Sequence, residues 1–220
     1  IIKKINNKTR IIFFANPNNP TGSIIFKKEL ISALKIIPPH IIVVIDGAYA
    51  EYVQEKEFSG GFELVEQFPN LIVTRTFSKI YALAAYRIGW GYSSREVIEI
   101  LEKIRGPFNV NLVAQLAASK ILDETEFLKK SLSHNNKWKK KMQKELRDIG
   151  FQIKENYGNF IFVINNFKNF STKDILDFLG KRNIFVRSLD AYKLSNCFRV
   201  SIGNQKENKL FLEEISNFIK

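Results

Sequence analysis

"IIFFANPNNPTG", residues 11–22, joins a short apolar run to a loop rich in turn-forming residues. The run IIFFA (11–15) has the length and composition of a strand that is buried on both faces of a sheet. Two Asn-Pro pairs and a Thr-Gly pair then turn the chain. The following segment, KKELISALKII (27–37), has helical spacing and stops at a Pro-Pro pair. A strand, a polar loop and a helix in this order predict one repeat of an α/β fold.

The same alternation continues through the first half of the chain. Three more strands are predicted, at IIVVID (41–46), LIVTRTFS (71–78) and RIGWGYS (87–93), and SREVIEILEKIR (94–105) is an amphipathic helix that begins after a serine cap. Strands that alternate with helices in this way predict a mostly parallel sheet.

The second half has a different composition and predicts a small α+β domain. Helices are expected at about 112–122, 124–148, 172–182 and 205–219, and strands at 160–165, 184–187 and 197–203. We therefore predict a large α/β domain over residues 1–122 and a small C-terminal domain over residues 123–220.

The bulk composition excludes a disordered chain and leaves a basic protein. The 220 residues are 45% hydrophobic, and their formal net charge is +12. The lysines are scattered, and the densest run, KWKKKMQKELR (137–147), has the spacing of a solvated helix face. A non-catalytic protein that binds nucleic acid is an alternative from another class, although no nucleic-acid-binding motif appears.

The single cysteine, Cys197, cannot form an internal disulfide, and no metal-ligand cluster is expected around it. It lies in the strand-like segment CFRVSIG, which predicts a small buried side chain. With no apolar run near 18 residues, we expect no membrane span and a reducing, cytoplasmic setting.

Four polar residues fall where the predicted strands end at one edge of the sheet, which is where open α/β sheets bind ligands. They are Asn19, Asp46, Lys79 and Arg87. Taken singly, each has an ordinary interpretation: a turn residue, a helix cap, a surface lysine and a surface ion pair.

The motifs around these residues, taken together, are far more specific. NPNNPTG (16–22), DGAY (46–49) and TRTFSKIYALAAYRIGW (74–90) follow one another in this order. In this order they resemble the fold-type I aminotransferases, which use pyridoxal phosphate (PLP). IRGPFNVN (104–111) and the arginine of FRVSIG resemble the histidinol-phosphate aminotransferase branch most. The resemblance implies a PLP-dependent transferase fold whose large domain is incomplete here, because the segment that precedes residue 1 in the family is absent.

The resemblance also implies roles around the cofactor ring. Lys79 would form the imine with the PLP aldehyde and, once freed, move the substrate proton. Asp46 would keep the pyridine nitrogen protonated, because a nearby carboxylate favours the cation. Asn19 and Tyr49 would donate hydrogen bonds to the 3′ oxygen of the ring.

The remaining implied roles concern phosphate and substrate. Thr76, Ser78 and Arg87 would bind the cofactor phosphate through hydroxyl and guanidinium donors. Arg199 would bind the anionic group of the substrate, and Arg187 resembles a second substrate arginine of this branch. No metal is expected.

The implied reaction is amino transfer between histidinol phosphate and 2-oxoglutarate in histidine biosynthesis, by a cytoplasmic homodimer that binds neither nucleic acid nor membrane. An aromatic amino-acid aminotransferase and a threonine-phosphate decarboxylase of the same fold remain open. We expect the 220 residues alone to bind PLP weakly, to aggregate and to show little activity, because the family's active site also uses upstream and partner residues.

Overall fold

The computed structural model describes residues 2–219, which form two compact units. One unit comprises the chain up to Asn18 together with Ser23–Lys129, and the other comprises Asn19–Gly22 and the chain from Lys130 onward. The loop residues belong with the second unit because Tyr157 N donates to Gly22 O at 2.8 Å. The assignment of domains to residues 1–122 and 123–220 stays a prediction.

The first unit is built on a four-stranded sheet in which the strands lie in chain order. Strands β1 (Ile11–Ala15), β2 (Ile42–Asp46) and β3 (Leu71–Thr76) are parallel, and β4 (Gly89–Tyr92) runs antiparallel to β3. The mostly parallel sheet that the sequence predicts is therefore confirmed. Because β4 runs in the opposite direction, its first residue lies at the same edge as the carboxyl ends of the other three strands.

The helices follow the predicted segments closely. They are α1 (Lys27–Ile36), α2 (Arg95–Ile104), α3 (Leu112–Asp123) and α4 (Thr125–Asp148). In the part of α4 that belongs to the second unit, Trp138, Met142 and Leu146 are buried at intervals of four residues, whereas Lys137, Lys140, Lys141 and Lys144 are exposed. The basic run is thus a solvated helix face, as its spacing indicates. No helix within residues 2–219 has both the length and the apolar composition that crossing a membrane requires.

Strand β1 departs from the prediction that both of its faces are buried. Ile12 and Phe14 pack into the core with α1, but Phe13 is 69% exposed and Ile11 is also exposed. The prediction was wrong because a continuous apolar run does not reveal how many layers cover it, and here the buried residues lie on one face only. In β2, by contrast, the consecutive residues 43–45 are all buried.

The second unit contains an antiparallel sheet with strand order β5-β6-β8-β7. Its strands are β5 (Gln152–Ile153), β6 (Phe160–Ile164), β7 (Arg187–Ser188) and β8 (Cys197–Ser201), and its further helices are α5 (Thr172–Gly180) and α6 (Gln205–Ile219). Ile161, Val163, Phe198 and Val200 share a core with residues of α4, α5 and α6. The small α+β character of this region is as the sequence predicts.

Two details of the second unit test finer predictions. The strand expected at 184–187 is wrong, because β7 begins only at Arg187. Ile184 N still donates to Leu179 O in α5, at 3.0 Å, and Phe185 is 84% exposed, so the chain has not yet joined the sheet there.

Cys197 is buried beside Phe162 and Leu189, as predicted, and burial raises the pKa of its thiol.

Candidate active site

The turn after β2 carries two of the predicted site residues, Asp46 and Tyr49. Asp46 is the last residue of the strand, its side chain is exposed, and its Oδ1 accepts a hydrogen bond from Ala48 N at 3.1 Å. Such an Asx turn redirects the chain within two residues. Tyr49 is buried and leads into the short 3-10 helix Ala50–Tyr52. A carboxylate and a phenol are therefore fixed three residues apart at the carboxyl edge of the sheet.

The loop after β3 carries Thr76, Ser78 and Lys79. Thr76 ends the strand, and its Oγ1 accepts a hydrogen bond from Ser78 N at 3.0 Å. Ala82 N donates to Lys79 O at 2.9 Å, which closes a turn directly after the lysine. These local bonds hold the backbone of the loop in one conformation at the same edge of the sheet as Asp46.

The structure brings Lys79 and Tyr49 together. Lys79 Nζ lies 5.3 Å from the centroid of the Tyr49 ring, within the range of a cation–π interaction. The two residues are 30 positions apart in the sequence, and they meet because β2 and β3 are adjacent parallel strands. The lysine amine and the phenol thus lie at one point of the sheet edge.

Arg87 reaches the same loop from the start of β4. Its backbone is in the left-handed region, with φ of 57°, and its Nη1 donates to Ser78 Oγ at 3.4 Å and to Ala84 O at 2.8 Å. The guanidinium, the Ser78 hydroxyl and the Thr76 hydroxyl are therefore grouped around one loop. This is a donor set suited to a phosphate dianion.

The other three predicted residues, Asn19, Arg187 and Arg199, belong to the second unit. Arg199 Nη1 donates to Asn19 Oδ1 at 2.5 Å, and Arg199 Nε is buried without a hydrogen-bond partner among residues 2–219. Arg187 is directly opposite Arg199 in the β7–β8 ladder. Two like charges facing each other across a ladder are destabilising unless an anion neutralises them. Their pairing is therefore suited to a bound anion.

The residues of the first unit fit PLP on chemical grounds. Lys79 supplies an amine for an aldehyde, Asp46 supplies a carboxylate for a ring nitrogen, and Arg87 with Ser78 and Thr76 supplies phosphate donors. Within residues 2–219, no group of three His, Cys, Asp or Glu side chains is arranged to hold a metal ion. The geometry around these residues does not test their individual roles, which stay predictions.

Arg75 belongs to this region, and the sequence analysis missed it. It lies inside β3 and is only 6% exposed, although its side chain is charged. Its Nη1 donates to Thr74 O at 3.0 Å and its Nη2 to Gly60 O at 2.9 Å, and its Nε is 3.5 Å from Glu51 Oε1. A signal was available in LIVTRT (71–76), because alternation places the arginine on the same buried face as Leu71 and Val73.

Burial shifts the pKa of the titratable groups around Arg75. It raises the pKa of the Glu51 carboxyl, which the Arg75 charge opposes, and it lowers the pKa of Arg75. Burial also raises the pKa of Tyr52 to about 12, with the Glu51 charge adding to the effect, and it raises the pKa of Tyr81. An ion pair between buried Arg75 and half-buried Glu51 thus lies two residues beyond Tyr49 along the chain.

Known relatives can be compared with this arrangement. The histidinol-phosphate aminotransferase of Pelagibacter ubique is 39% identical over 216 residues, which cover 98% of this chain and 60% of that protein. The enzyme of the same name from Maricaulis maris is 35% identical over 223 residues, which cover 100% of this chain and 61% of that protein. The chain thus spans about 60% of the length of these curated relatives.

A solved structure extends the comparison to the fold. Histidinol-phosphate aminotransferase from Sinorhizobium meliloti, in complex with pyridoxal-5′-phosphate, superposes with a TM-score of 0.88 at 26% identity, covering 95% of this chain and 57% of that one. The predicted transferase fold is therefore confirmed. The family model described as aminotransferase class I and II matches residues 1–215. The chain belongs to the class I and II aminotransferase family.

Proposed function

We propose that the protein is a PLP-dependent aminotransferase whose cofactor is bound by the first unit. The observation that carries the proposal is the placement of the Lys79 amine against Tyr49. The same loop holds Ser78 and Arg87 within hydrogen-bond distance of each other. An amine for the aldehyde and a cationic donor set for the phosphate are the two groups that PLP requires of a protein.

Each residue has a defined chemical task in this proposal. When bound, PLP supplies the electron sink that stabilises a carbanion at the substrate α-carbon. Lys79 Nζ would hold the cofactor by its aldehyde group and, when its amine is free, would serve as the base that moves the substrate proton. Asp46 would keep a proton on the pyridine nitrogen through its charge. Tyr49 would donate a hydrogen bond to the ring oxygen.

The proposed substrate is histidinol phosphate, with 2-oxoglutarate as the amino acceptor. The Arg187–Arg199 pair supports this choice, because two guanidinium groups on one strand ladder suit a dianionic phosphate better than a single carboxylate. Relatives that are 35–39% identical over nearly the whole chain carry that enzyme name. We further propose that the protein acts in the cytoplasm as a homodimer.

An amino-transfer assay tests this proposal. The protein, expressed from its complete reading frame and supplied with PLP, should convert 2-oxoglutarate to glutamate with histidinol phosphate as the donor. Phenylalanine and threonine phosphate serve as competing substrates for the alternative reactions. Faster turnover of phenylalanine would indicate an aromatic aminotransferase, and release of CO2 from threonine phosphate would indicate a decarboxylase. Either result would overturn the substrate that we propose.

A further inference from the structure

The segment DGAYAEY (46–52) is attached to β3 at both of its ends, by a backbone hydrogen bond at the first end and by the Arg75 side chain at the far end. At the first end, Thr74 O accepts hydrogen bonds from Gly47 N at 3.0 Å and from Arg75 Nη1 at 3.0 Å. At the far end, Arg75 Nε pairs with Glu51 Oε1 at 3.5 Å. Tyr49 lies between these two attachments.

The Arg75 side chain lies so close to the backbone at two positions that only glycine fits there. A Cβ built at Gly47 would overlap Arg75 Nη1, and one built at Gly60 would overlap Nη2. Two backbone segments therefore approach the guanidinium more closely than any side chain would allow. Phe62 closes a further side, since Arg75 Cζ lies 4.5 Å from the centroid of its ring.

We infer that Arg75 is a positioning residue, which holds the far end of Asp46–Tyr52 through Glu51, packs against Gly47 at the first end and so fixes the Tyr49 ring against the Lys79 amine. Lysine could not replace it, because a single ammonium cannot donate along the three directions that the guanidinium uses here. The groups whose charge acts on Arg75 are Glu51, Tyr81 and Asp46. The role assigned to Tyr49 at the cofactor rests on the proposed function, but its placement against Lys79 does not.

The first test uses the protein without cofactor. Limited acetylation with acetic anhydride, followed by mass spectrometry, gives the rate at Lys79 relative to exposed Lys35. Because the Tyr49 ring stabilises the ammonium, Arg75→Lys should raise this relative rate about two- to fivefold, as should Tyr49→Ala. The double variant should react no faster than Tyr49→Ala alone.

The second test uses the protein with added PLP. It measures the absorption band that is lost in a Lys79→Ala variant, and its midpoint, the pH at which that band has changed by half. A hydrogen bond from Tyr49 to the ring oxygen would lower that midpoint, so Arg75→Lys and Tyr49→Ala should each raise it, by about one unit. Again, the double variant should show no further shift. Glu51→Gln, which keeps the shape of the side chain, should move both readouts in the same direction if Arg75→Lys does not fold.

Leu30→Ala is the matched control for stability alone, because Leu30 is fully buried in the same unit but lies on α1. It should lower stability and leave both readouts unchanged. Additive effects of Arg75→Lys and Tyr49→Ala, or an unchanged acetylation rate in Arg75→Lys, would overturn the inference. Absence of a Lys79-dependent band in the unsubstituted protein would instead overturn the proposed function, and the acetylation test would still decide the role of Arg75.

Discussion

Replacing Gly47 by alanine should lower the free energy of unfolding by about 3 kcal/mol. The added Cβ would overlap Arg75 Nη1 and lie 2.5 Å from Arg75 Cζ and 3.1 Å from Thr74 O. An exposed arginine would swing away, but this side chain is 4% exposed and donates to Thr74 O and Gly60 O. Each hydrogen bond from a charged donor contributes about 1.5–3 kcal/mol, so losing one or two of them gives the stated loss.

Urea unfolding followed by circular dichroism measures this effect against two references. Gly106→Ala is the matched control, because nothing lies within 4 Å of a Cβ built there, and its effect should stay within about 0.5 kcal/mol. In an Arg75→Ala background, adding Gly47→Ala should cost less than about 1 kcal/mol, since the overlapping group is gone. The reasoning would be refuted if Gly47→Ala left the free energy of unfolding unchanged. It would also be refuted if Gly47→Ala lowered that free energy by the same amount with and without Arg75→Ala.

Three further predictions concern charge. Asp46→Asn should slow the first half-reaction at least about a hundredfold while PLP stays bound, measured by stopped-flow absorbance; an unchanged rate would contradict the role of its charge. Arg199→Gln should raise KM for histidinol phosphate about 10- to 100-fold. The control, Arg95→Gln, changes an exposed arginine and should leave KM unchanged. Equal effects of the two substitutions on KM would argue against a substrate site at Arg199. Because the pKa of Tyr52 is raised to about 12, the unfolded chain loses this proton first, so stability should fall from about pH 10 upward. Tyr52→Phe should flatten that fall in urea titrations, and an unchanged slope would show that other groups cause it.

The sequence predicted the order and type of the main elements because most of them are marked locally. Apolar runs of strand length, bounded by turn residues, predicted β1, β2 and β3, and the helical spacing of residues 137–147 predicted the exposed lysine face of α4. The exposed face of β1 could not be predicted, because burial depends on which layers cover a strand. The start of β7 was predicted three residues too early, because Ile184 N still donates to Leu179 O in α5.

For the candidate site, motif spacing located the residues but not their partners. Nothing local in DGAY or TFSK indicates that the Lys79 amine lies against the Tyr49 ring, because that contact requires β2 and β3 to be adjacent. Arg75 was not predicted because polar residues indicate a site when they lie at strand ends, whereas this arginine lies inside a strand. Its burial depends on Glu51 and on two carbonyl groups that only the folded chain provides.

Reductive labelling of the cofactor lysine tests the central claim most directly. The protein, expressed from its complete reading frame, is saturated with PLP, reduced with borohydride, digested and mapped by mass spectrometry. We expect the pyridoxyl group on Lys79, and we expect it to be absent from a Lys79→Ala variant treated in the same way. A label at comparable yield on any other lysine, or its persistence in Lys79→Ala, would contradict the claim that the turn after β3 binds the cofactor.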